Sequence, residues 1–400
     1  MKPVSFFIQR NSLFVAILCF AWYVMSCKKK EELNIDPSIV PVACFSDHSP
    51  NNGRVIEGIY IINYRSETVN PALRTPEKLS VFAKTILGRN AIPDQTLRSI
   101  YKHSFICRLS ASQATRLQND PAIESIEPDR VVSIASACLG VLDSNTLTWG
   151  VKRVGYGDGA STGRTVWIID SGIDTQHPDL NIDIVRSRCF IEGQSSVEDE
   201  HGHGTHVAGI VGAKNNSIGV VGVAAGANLV ALKVLNQLGE GRGSSVVAAL
   251  EYIDQHASRG DVVNMSLVVD TISPSIDKQV TAIANKGILF AVAAGNTSQS
   301  AALISPSHIN HPNVFTVAAM DDTDTWASFS NYGSDIIDVA APGVGILSTY
   351  RNQQYATMSG TSSAAPHLAG LLLLDGRKFA LSGYVKNDPD TPPAPIPHKL

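Results

Sequence analysis

The chain has 400 residues, of which 44% are hydrophobic and 17% are charged, and its formal net charge at pH 7 is -4. This composition is typical of a globular protein with enough apolar side chains for one large core or two smaller ones. The sequence has no long basic arm and no excess of positive charge, so we expect no nucleic-acid partner.

The N-terminus has the features of an export signal. Lys2 and Arg10 flank the start of an apolar run from Leu13 to Met25, which is shorter than the about 20 apolar residues of a membrane-spanning helix. The stretch Val24-Met25-Ser26-Cys27 resembles the lipobox of bacterial lipoproteins. This resemblance implies an exported protein held at the outer membrane or cell surface by a lipid on Cys27. Plain secretion and an uncleaved membrane helix are the alternatives.

Six cysteines are present. Cys19 belongs to the signal and Cys27 to the predicted lipid site. In the oxidising compartment that an exported protein enters, disulfides persist. The four remaining cysteines allow three pairings, and free buried thiols are the alternative; these cysteines are Cys44, Cys107, Cys138 and Cys189.

A Pro- and Asn-rich linker leads into a small domain. Strand-like runs cover Val55–Asn63 and His103–Leu109, a helix-like run covers Ser110–Asn119, and Ala122–Val132 ends in a further strand. Strands and a helix over roughly 80 residues predict a small α+β unit.

From about Leu147 onward, short apolar strands alternate with helices, which predicts a mostly parallel sheet covered by helices on both faces and hence an α/β fold. In such sheets ligands bind at the carboxyl ends of strands, and Asp170 and Asn296 follow such ends. The predicted strands are Thr165–Ile169, Leu229–Leu235, Asp261–Leu267, Ile288–Ala293, Val314–Ala319 and Asp335–Val339, and the predicted helices are Ser244–Ser258 and Ser275–Asn285.

Three motifs carry the chemistry: WIIDSGID at 167–174, HGTHVAG at 203–209 and SGTSSAAPHLAG at 359–370. All three resemble the active-site signatures of the subtilisin (S8) family of serine peptidases, in the Asp, His, Ser order that subtilisin shows. The resemblance covers residues 147–375. It implies a subtilisin-like fold and an endopeptidase that hydrolyses peptide bonds through an acyl-enzyme.

The physical role of each residue agrees with this resemblance. A serine hydroxyl is a poor nucleophile, so Ser362 needs His203 to take its proton, and Asp170 would orient the imidazole and stabilise the imidazolium. The segment that ends at Asn296 matches the family segment whose Asn donates to the oxyanion, together with the backbone N–H of Ser362.

The resemblance also implies that polypeptide substrates bind as an added β-strand between two segments. One segment is Gly241-Arg242-Gly243 and the other is Ser266-Leu267-Val268. Glycine is usual in the family where Val268 stands, and it leaves room for the residue before the cut. Val268 should narrow this pocket and favour smaller or flatter side chains.

The small domain resembles the inhibitor-type (I9-like) propeptide of the same family, through GIYII at 58–62 and the run from Ile126 to Val132. Such a domain would be an intramolecular inhibitor until a cut between Ser133 and Leu147. Because Cys27 and the triad lie on opposite sides of this cut, maturation would free the peptidase from the membrane unless a disulfide crosses it. Pairing Cys44 with Cys107 and Cys138 with Cys189 permits release. An unrelated accessory domain is the alternative.

The sequence thus predicts a monomer of five segments: a lipoprotein signal peptide (1–27), a linker (28–53), an inhibitor-type propeptide (54–134), a subtilisin-like peptidase domain (135–375) and an irregular C-terminal tail (376–400).

Other functions explain the motifs less well. His201, His203 and His206 suggest a metal site, but no Cys or carboxylate completes it at a usual spacing, so none is assigned. Structural calcium is common in the family; no ligand loop is evident here, and no cofactor is required. An esterase or lipase would carry a G-x-S-x-G elbow, which the segment around Ser362 lacks. A catalytically inactive binding protein with the same fold is the remaining alternative.

Overall fold

The computed structural model describes residues 51–69, 75–134, 137–140 and 145–400. The predicted signal peptide 1–27, the predicted lipid site at Cys27 and nearly all of the linker 28–53 lie outside these residues. No helix in the described ranges combines the length and the apolar character needed to cross a membrane.

The described chain contains seven α-helices. They are α1 (Pro76–Arg89), α2 (Ala111–Gln118), α3 (Trp149–Val154), α4 (His203–Gly212), α5 (Gly243–His256), α6 (Pro274–Ala284) and α7 (Thr361–Asp375).

The described residues form nineteen strands. They are β1 (Val55–Tyr64), β2 (Leu97–Ile100), β3 (Ser104–Arg108), β4 (Ile123–Ser133), β5 (Ala137–Gly140), β6 (Gly157–Asp158), β7 (Thr165–Asp170), β8 (Arg188–Cys189), β9 (Ala224–Ala225), β10 (Asn228–Lys233), β11 (Glu240–Arg242), β12 (Val262–Met265), β13 (Leu289–Ala293), β14 (Val314–Met320), β15 (Val339–Pro342), β16 (Ile346–Tyr350), β17 (Gln354–Met358), β18 (Ala380–Tyr384) and β19 (Pro395–His398).

The C-terminal part of the chain, residues 145–400, is built on a parallel sheet of seven strands, in the order β15-β14-β13-β12-β7-β10-β8. Its central strands are buried on both faces, which is why they read as continuous apolar runs. Trp167 and Ile169 of β7 pack with α5 and α6 on one face. Val166 and Ile168 pack with α4 and α7 on the other face. The predicted α/β architecture is confirmed.

The N-terminal domain is an antiparallel sheet covered by α1 and α2. The strand order is β4-β1-β3-β2, and β11 of the C-terminal part adds to the free edge of β4. Helix α2 begins with a capping box between Ser110 and Gln113. Helix α1, which the sequence did not predict, begins with Pro76 after the side-chain cap Thr75. Ile86 and Leu117 pack into the core of this domain.

Two sequence predictions are wrong. The predicted strand Asp335–Val339 begins only at Val339, because the residues before it form a turn. The tail 376–400 is not irregular: β18 and β19 form a hairpin whose Val385 and Ile396 pack against Trp326 and Met320. The hairpin has only a few apolar contacts and many prolines, so its sequence lacks a clear alternating pattern.

Cys107 and Cys189 are free thiols. Cys44 and the side chain of Cys138 lie outside the described residues. Each of the three pairings of these four cysteines uses both Cys107 and Cys189, so none of them is formed in full, as the described residues show.

Candidate active site

Asp170 ends β7 and lies beside the first residue of α4, His203. The Nδ1 atom of His203 is 2.8 Å from Oδ1 and 2.9 Å from Oδ2 of Asp170, and the two side chains are 1% and 0% exposed. A carboxylate only accepts hydrogen bonds, so Nδ1 carries the proton and donates. Nε2 is thereby left as an acceptor, which is the tautomer that a general base requires.

A second buried carboxylate, Asp199, holds the turn that leads into α4. Its Oδ1 accepts from the backbone N–H groups of His201 and Gly202 and from the Ser171 hydroxyl. Its Oδ2 accepts from the N–H and the hydroxyl of Thr205 at 2.8 Å and 2.6 Å. The carboxylate therefore satisfies N–H groups at the start of the helix, where negative charge is favourable.

Sequence reasoning missed Asp199. The available signal was an acidic residue just before a helical run, which is typical of a helix N-terminus.

Gly204 allows α4 to come this close to the end of β7. A Cβ atom at this position would lie 2.1 Å from the carbonyl oxygen of Gly172 and 3.2 Å from the Asp170 side chain. The Gly204 N–H also donates to the Ser171 hydroxyl at 2.9 Å. Any larger residue at 204 would push His203 away from Asp170.

Ser362 is the second residue of α7, and Asn296 is fixed beside it. Asn296 Oδ1 accepts from the N–H and the hydroxyl of Thr361 at 2.7 Å and 2.8 Å, which leaves its Nδ2 as a donor. The Cβ position of Gly360 is 2.9 Å from Ser362 Oγ and 3.3 Å from Asn296 Nδ2. The hydroxyl and the amide therefore border the same small space, as an oxyanion site requires.

Asn331 is a further polar residue that the sequence did not indicate. It is buried, its Nδ2 donates to the carbonyl of Ala294 at 3.0 Å, and its Oδ1 accepts from the N–H groups of Thr297 and Gln299. These bonds fix the turn that carries Asn296. Its sequence signal is weak because its partners lie more than 30 positions away along the chain.

The two halves of the site meet at one edge of the sheet. Met265 of β12 pairs with Ile169 of β7, so Ser266 follows its strand beside Asp170. The Ser266 hydroxyl donates to the backbone carbonyl of Ser362 at 2.8 Å. The described hydrogen bonds do not include one between Ser362 and His203; the two residues stand at the first turns of α7 and α4, which pack against each other.

The two segments predicted to bind substrate lie on either side of β4. The first wall is β11, Glu240–Arg242, and Gly243 begins α5 instead of extending this edge. The second wall includes Ser266, Leu267 and Val268. A cavity of about 260 Å³ lies between Val268, Asn296 and Ser362.

Residues of the N-terminal domain occupy the space between the walls. β4 pairs antiparallel with β11, with Val132 opposite Gly241. On its other side, Ser133 forms an antiparallel bridge with Val268. The cleft thus already holds an extended peptide of this chain.

His201, His203 and His206 do not form a metal centre among the described residues. Nε2 of His206 donates to the carbonyl of Ile346 at 2.9 Å, and burial, with the nearby His203, lowers the pKa of His206 to about 3. The described residues contain no cluster of three or more His, Cys, Asp or Glu side chains that could hold a metal ion.

Comparisons with known proteins relate the chain to one family. The model of the subtilase family (peptidase S8) matches residues 161–376. An alkaline protease of Alkalihalobacillus alcalophilus is 38% identical over 275 residues, which cover 68% of each chain. A cuticle-degrading protease of Metarhizium anisopliae is 35% identical over 284 residues, 67% of this chain and 69% of the relative.

Two further similarities extend this result. A thermophilic serine proteinase of Bacillus sp. strain AK1 is 33% identical over 338 residues, 82% of this chain and 79% of the relative. This match is long enough to include residues outside 161–376. Among solved structures, the crystal structure of a cold adapted subtilisin-like serine proteinase aligns with a TM-score of 0.55 and 30% identity, covering 64% of this chain and 98% of that chain.

Removing the side chain of Val268 should widen the cavity beside Ser362. We compare kcat/KM for two peptides that carry Phe or Ala immediately before the cut. We expect Val268→Gly to raise the Phe-to-Ala ratio of kcat/KM by about tenfold, since each methylene that such a pocket excludes is worth about 1–3 kcal/mol. Val268→Ala, the control, should give an intermediate ratio. The ratio is measured with a matched pair of peptides, and an unchanged Phe-to-Ala ratio in both variants would show that Val268 does not limit the pocket.

Proposed function

The chain belongs to the subtilase family and is a serine endopeptidase, and from this premise we propose that it is made as a self-inhibited precursor with Asp170, His203 and Ser362 as catalytic residues. One observation carries the proposal. The last residues of β4 lie in the cleft between β11 and Val268, in the extended form that a substrate would adopt.

Catalysis would follow from the hydrogen bonds of the site. Nε2 of His203 takes the proton of the Ser362 hydroxyl as Oγ attacks the peptide carbonyl, and Asp170 stabilises the imidazolium. Asn296 Nδ2 and the Ser362 N–H donate to the oxyanion of the tetrahedral intermediate. His203 then returns the proton to the leaving amine, and water hydrolyses the acyl-enzyme by the same steps.

The N-terminal domain binds the peptidase part as an inhibitor would, through two helix N-termini. Asp129, which is fully buried, accepts from the N–H of Ser244 at 2.9 Å, in the first turn of α5. Glu127 accepts from the N–H of Ser275 at 2.8 Å, in the first turn of α6. A carboxylate at a helix N-terminus satisfies free N–H groups and interacts favourably with the helix dipole. Both acids lie on β4, the strand that continues into the cleft.

The register of the chain limits where the precursor would be cut. Ile134 donates its N–H to the carbonyl of Gly239 at 3.2 Å, and it lines the cavity beside Ser362. The chain is paired again from Ala137, which lies opposite Met358 of β17. The bond to be cut therefore lies between Ile134 and Ala137, and we assign it to the middle bond, Ala135–Ser136.

Export and lipidation at Cys27 are further parts of the proposal, supported by the sequence of the first 27 residues. The lipid would anchor the N-terminal domain, so the cut would leave the peptidase attached to the membrane only through non-covalent contacts. The free thiols of Cys107 and Cys189 agree with this, because neither of these two residues forms a disulfide across the cut, and release further requires that Cys44 and Cys138 are not paired. Polypeptides are the proposed substrates, and neither a metal nor a cofactor takes part in these steps.

The catalytic roles can be tested with two variants. Ser362→Ala should abolish both peptide hydrolysis and labelling by a fluorophosphonate. Asn296→Ala should keep the label but lower kcat by about 10²–10³, the effect known for removal of such a donor in subtilisin. Initial rates on a peptide substrate measure both effects. An unlabelled wild-type protein would instead favour an inactive binding protein with this fold.

The site of processing is tested by N-terminal sequencing. Wild-type protein should yield a mature chain that begins at Ser136, whereas Ser362→Ala should remain uncut because the same hydroxyl performs the cleavage. Membrane partition before and after processing then reports whether the mature chain is released. A mature chain that begins at any residue other than Ser136 would contradict the assigned register.

The interface also contains a carboxyl group that should make inhibition depend on pH. Glu251 of α5 is buried, and its Oε2 has no partner. Burial, aided by Asp254, raises the pKa of Glu251, while bonds from Gln255 and the backbone of Lys102 oppose this. Lys102 belongs to the N-terminal domain and also pairs with Asp254 at 2.7 Å. Lys102 itself favours the ionised form of Glu251, but burial is the larger effect, so the pKa of Glu251 lies above its ordinary value in the docked precursor.

We expect the dissociation constant of the two processed chains to rise from pH 5 to pH 9. Protonation of Glu251 stabilises the complex of the two chains. This stabilisation is fully present below the ordinary carboxyl pKa and is lost as the pH rises through the raised pKa of Glu251. In Glu251→Gln the rise should be smaller, because the amide that replaces the carboxyl group does not titrate. The exposed Glu77→Gln is the control. Equal pH dependence in wild type and Glu251→Gln would exclude this role.

A further inference from the structure

Gly239 precedes β11 and lies beside both His201 and Ile134, the residue that follows β4. A Cβ atom at Gly239 would lie 2.8 Å from Cγ1 of Ile134 and 3.1 Å from Nε2 of His201. The backbone at Gly239 has a φ of +69°, so glycine is favoured there by conformation as well as by space. Ile134 and His201 therefore border the same space, and Ile134 is only 6% exposed. If the chain is cut after Ala135, Ile134 is the second residue before the cut. In a substrate, this space would therefore receive the side chain two positions before the cut.

The backbone of His201 is fixed while its ring keeps an unused polar atom. The N–H donates to Asp199 at 3.0 Å, and the carbonyl accepts from the Tyr350 hydroxyl at 2.8 Å. The ring packs edge-on against the ring of His203, with 6.3 Å between centroids. Nδ1 is buried and has no hydrogen-bond partner. A buried, unpartnered ring nitrogen is costly when the ring is charged, and much less so when the ring is neutral.

The charged groups around His201 come from four elements. They are Asp170 at the end of β7, Asp199 in the turn before α4, His203 at the start of α4 and Arg351 after β16. Burial, followed by the effects of His203 and Arg351, lowers the pKa of His201, and the two carboxylates oppose this. The neutral imidazole thus fits an apolar neighbour such as Ile134.

We propose that His201 is the specificity-determining residue for the side chain two positions before the cut, selecting apolar side chains when its ring is neutral and carboxylate side chains when its ring is protonated. The proposal rests on the proposed function. Once β4 leaves the cleft, water reaches the ring and the charged form loses less hydration. A substrate carboxylate can then accept a charge-assisted hydrogen bond from the imidazolium.

The test uses the mature enzyme and three peptides with Ile, Glu or Gln two positions before the cut. The peptides compete in one reaction, so the protonation of His203 affects them equally and cancels from the ratio of kcat/KM values. The Glu-to-Ile ratio should rise about tenfold from pH 8 to pH 5.5, a range in which Glu stays ionised. The Gln-to-Ile ratio should stay constant.

His201→Asn and His201→Gln are the matched variants, because neither side chain titrates. Their Glu-to-Ile ratios should not change with pH. A constant ratio in the wild type, or the same rise in a variant that is cut and labelled normally, would overturn the role of His201. Absence of hydrolysis of all three peptides at every pH would contradict the proposed function itself.

Discussion

The buried contact between Asp170 and His203 is the constraint on which the rest of this site depends. A carboxylate with no exposed surface is costly unless donors surround it. Here the donors are Nδ1 of His203 and the N–H of Ser171 at 2.7 Å. Helix α4 must therefore begin within hydrogen-bonding distance of the end of β7. Gly204 makes the approach sterically feasible, and Asp199 holds the turn from the other side.

The same physical principle explains how the N-terminal domain is attached. Helices α5 and α6 begin on the face that this domain covers, and each has N–H groups without intrahelical acceptors. Asp129 and Glu127 supply those acceptors from a single strand. Because β4 runs on from these two acids into the cleft, the residues that fix the domain also set the register of the segment that lies in the cleft. A slip by one residue would remove both caps and turn every side chain in the cleft to the opposite face.

The sequence indicated the candidate catalytic residues more clearly than the residues that hold them in position. Asp170 and Ser362 stand in long, contiguous motifs, and buried parallel strands leave a plain apolar signal, so both the sheet and the candidate triad were readable. The positioning roles of Asp199 and Asn331 could not be predicted, because an acidic or amide side chain near glycines is equally typical of an ordinary turn. The caps Asp129 and Glu127 were hidden for another reason: their partners are more than 100 positions away.

Strand addition also explains why so few side chains can set specificity. The walls at β11 and Val268 bind β4 through backbone pairing, which is the same for nearly every residue type. Discrimination is left to side chains that touch alternate residues of the bound strand. Val268 lines the cavity beside Ser362, and His201 borders the space of Ile134. In the proposed roles, Val268 acts through its volume and His201 through its charge, so a change at either position should alter substrate choice without disturbing the pair of Asp170 and His203.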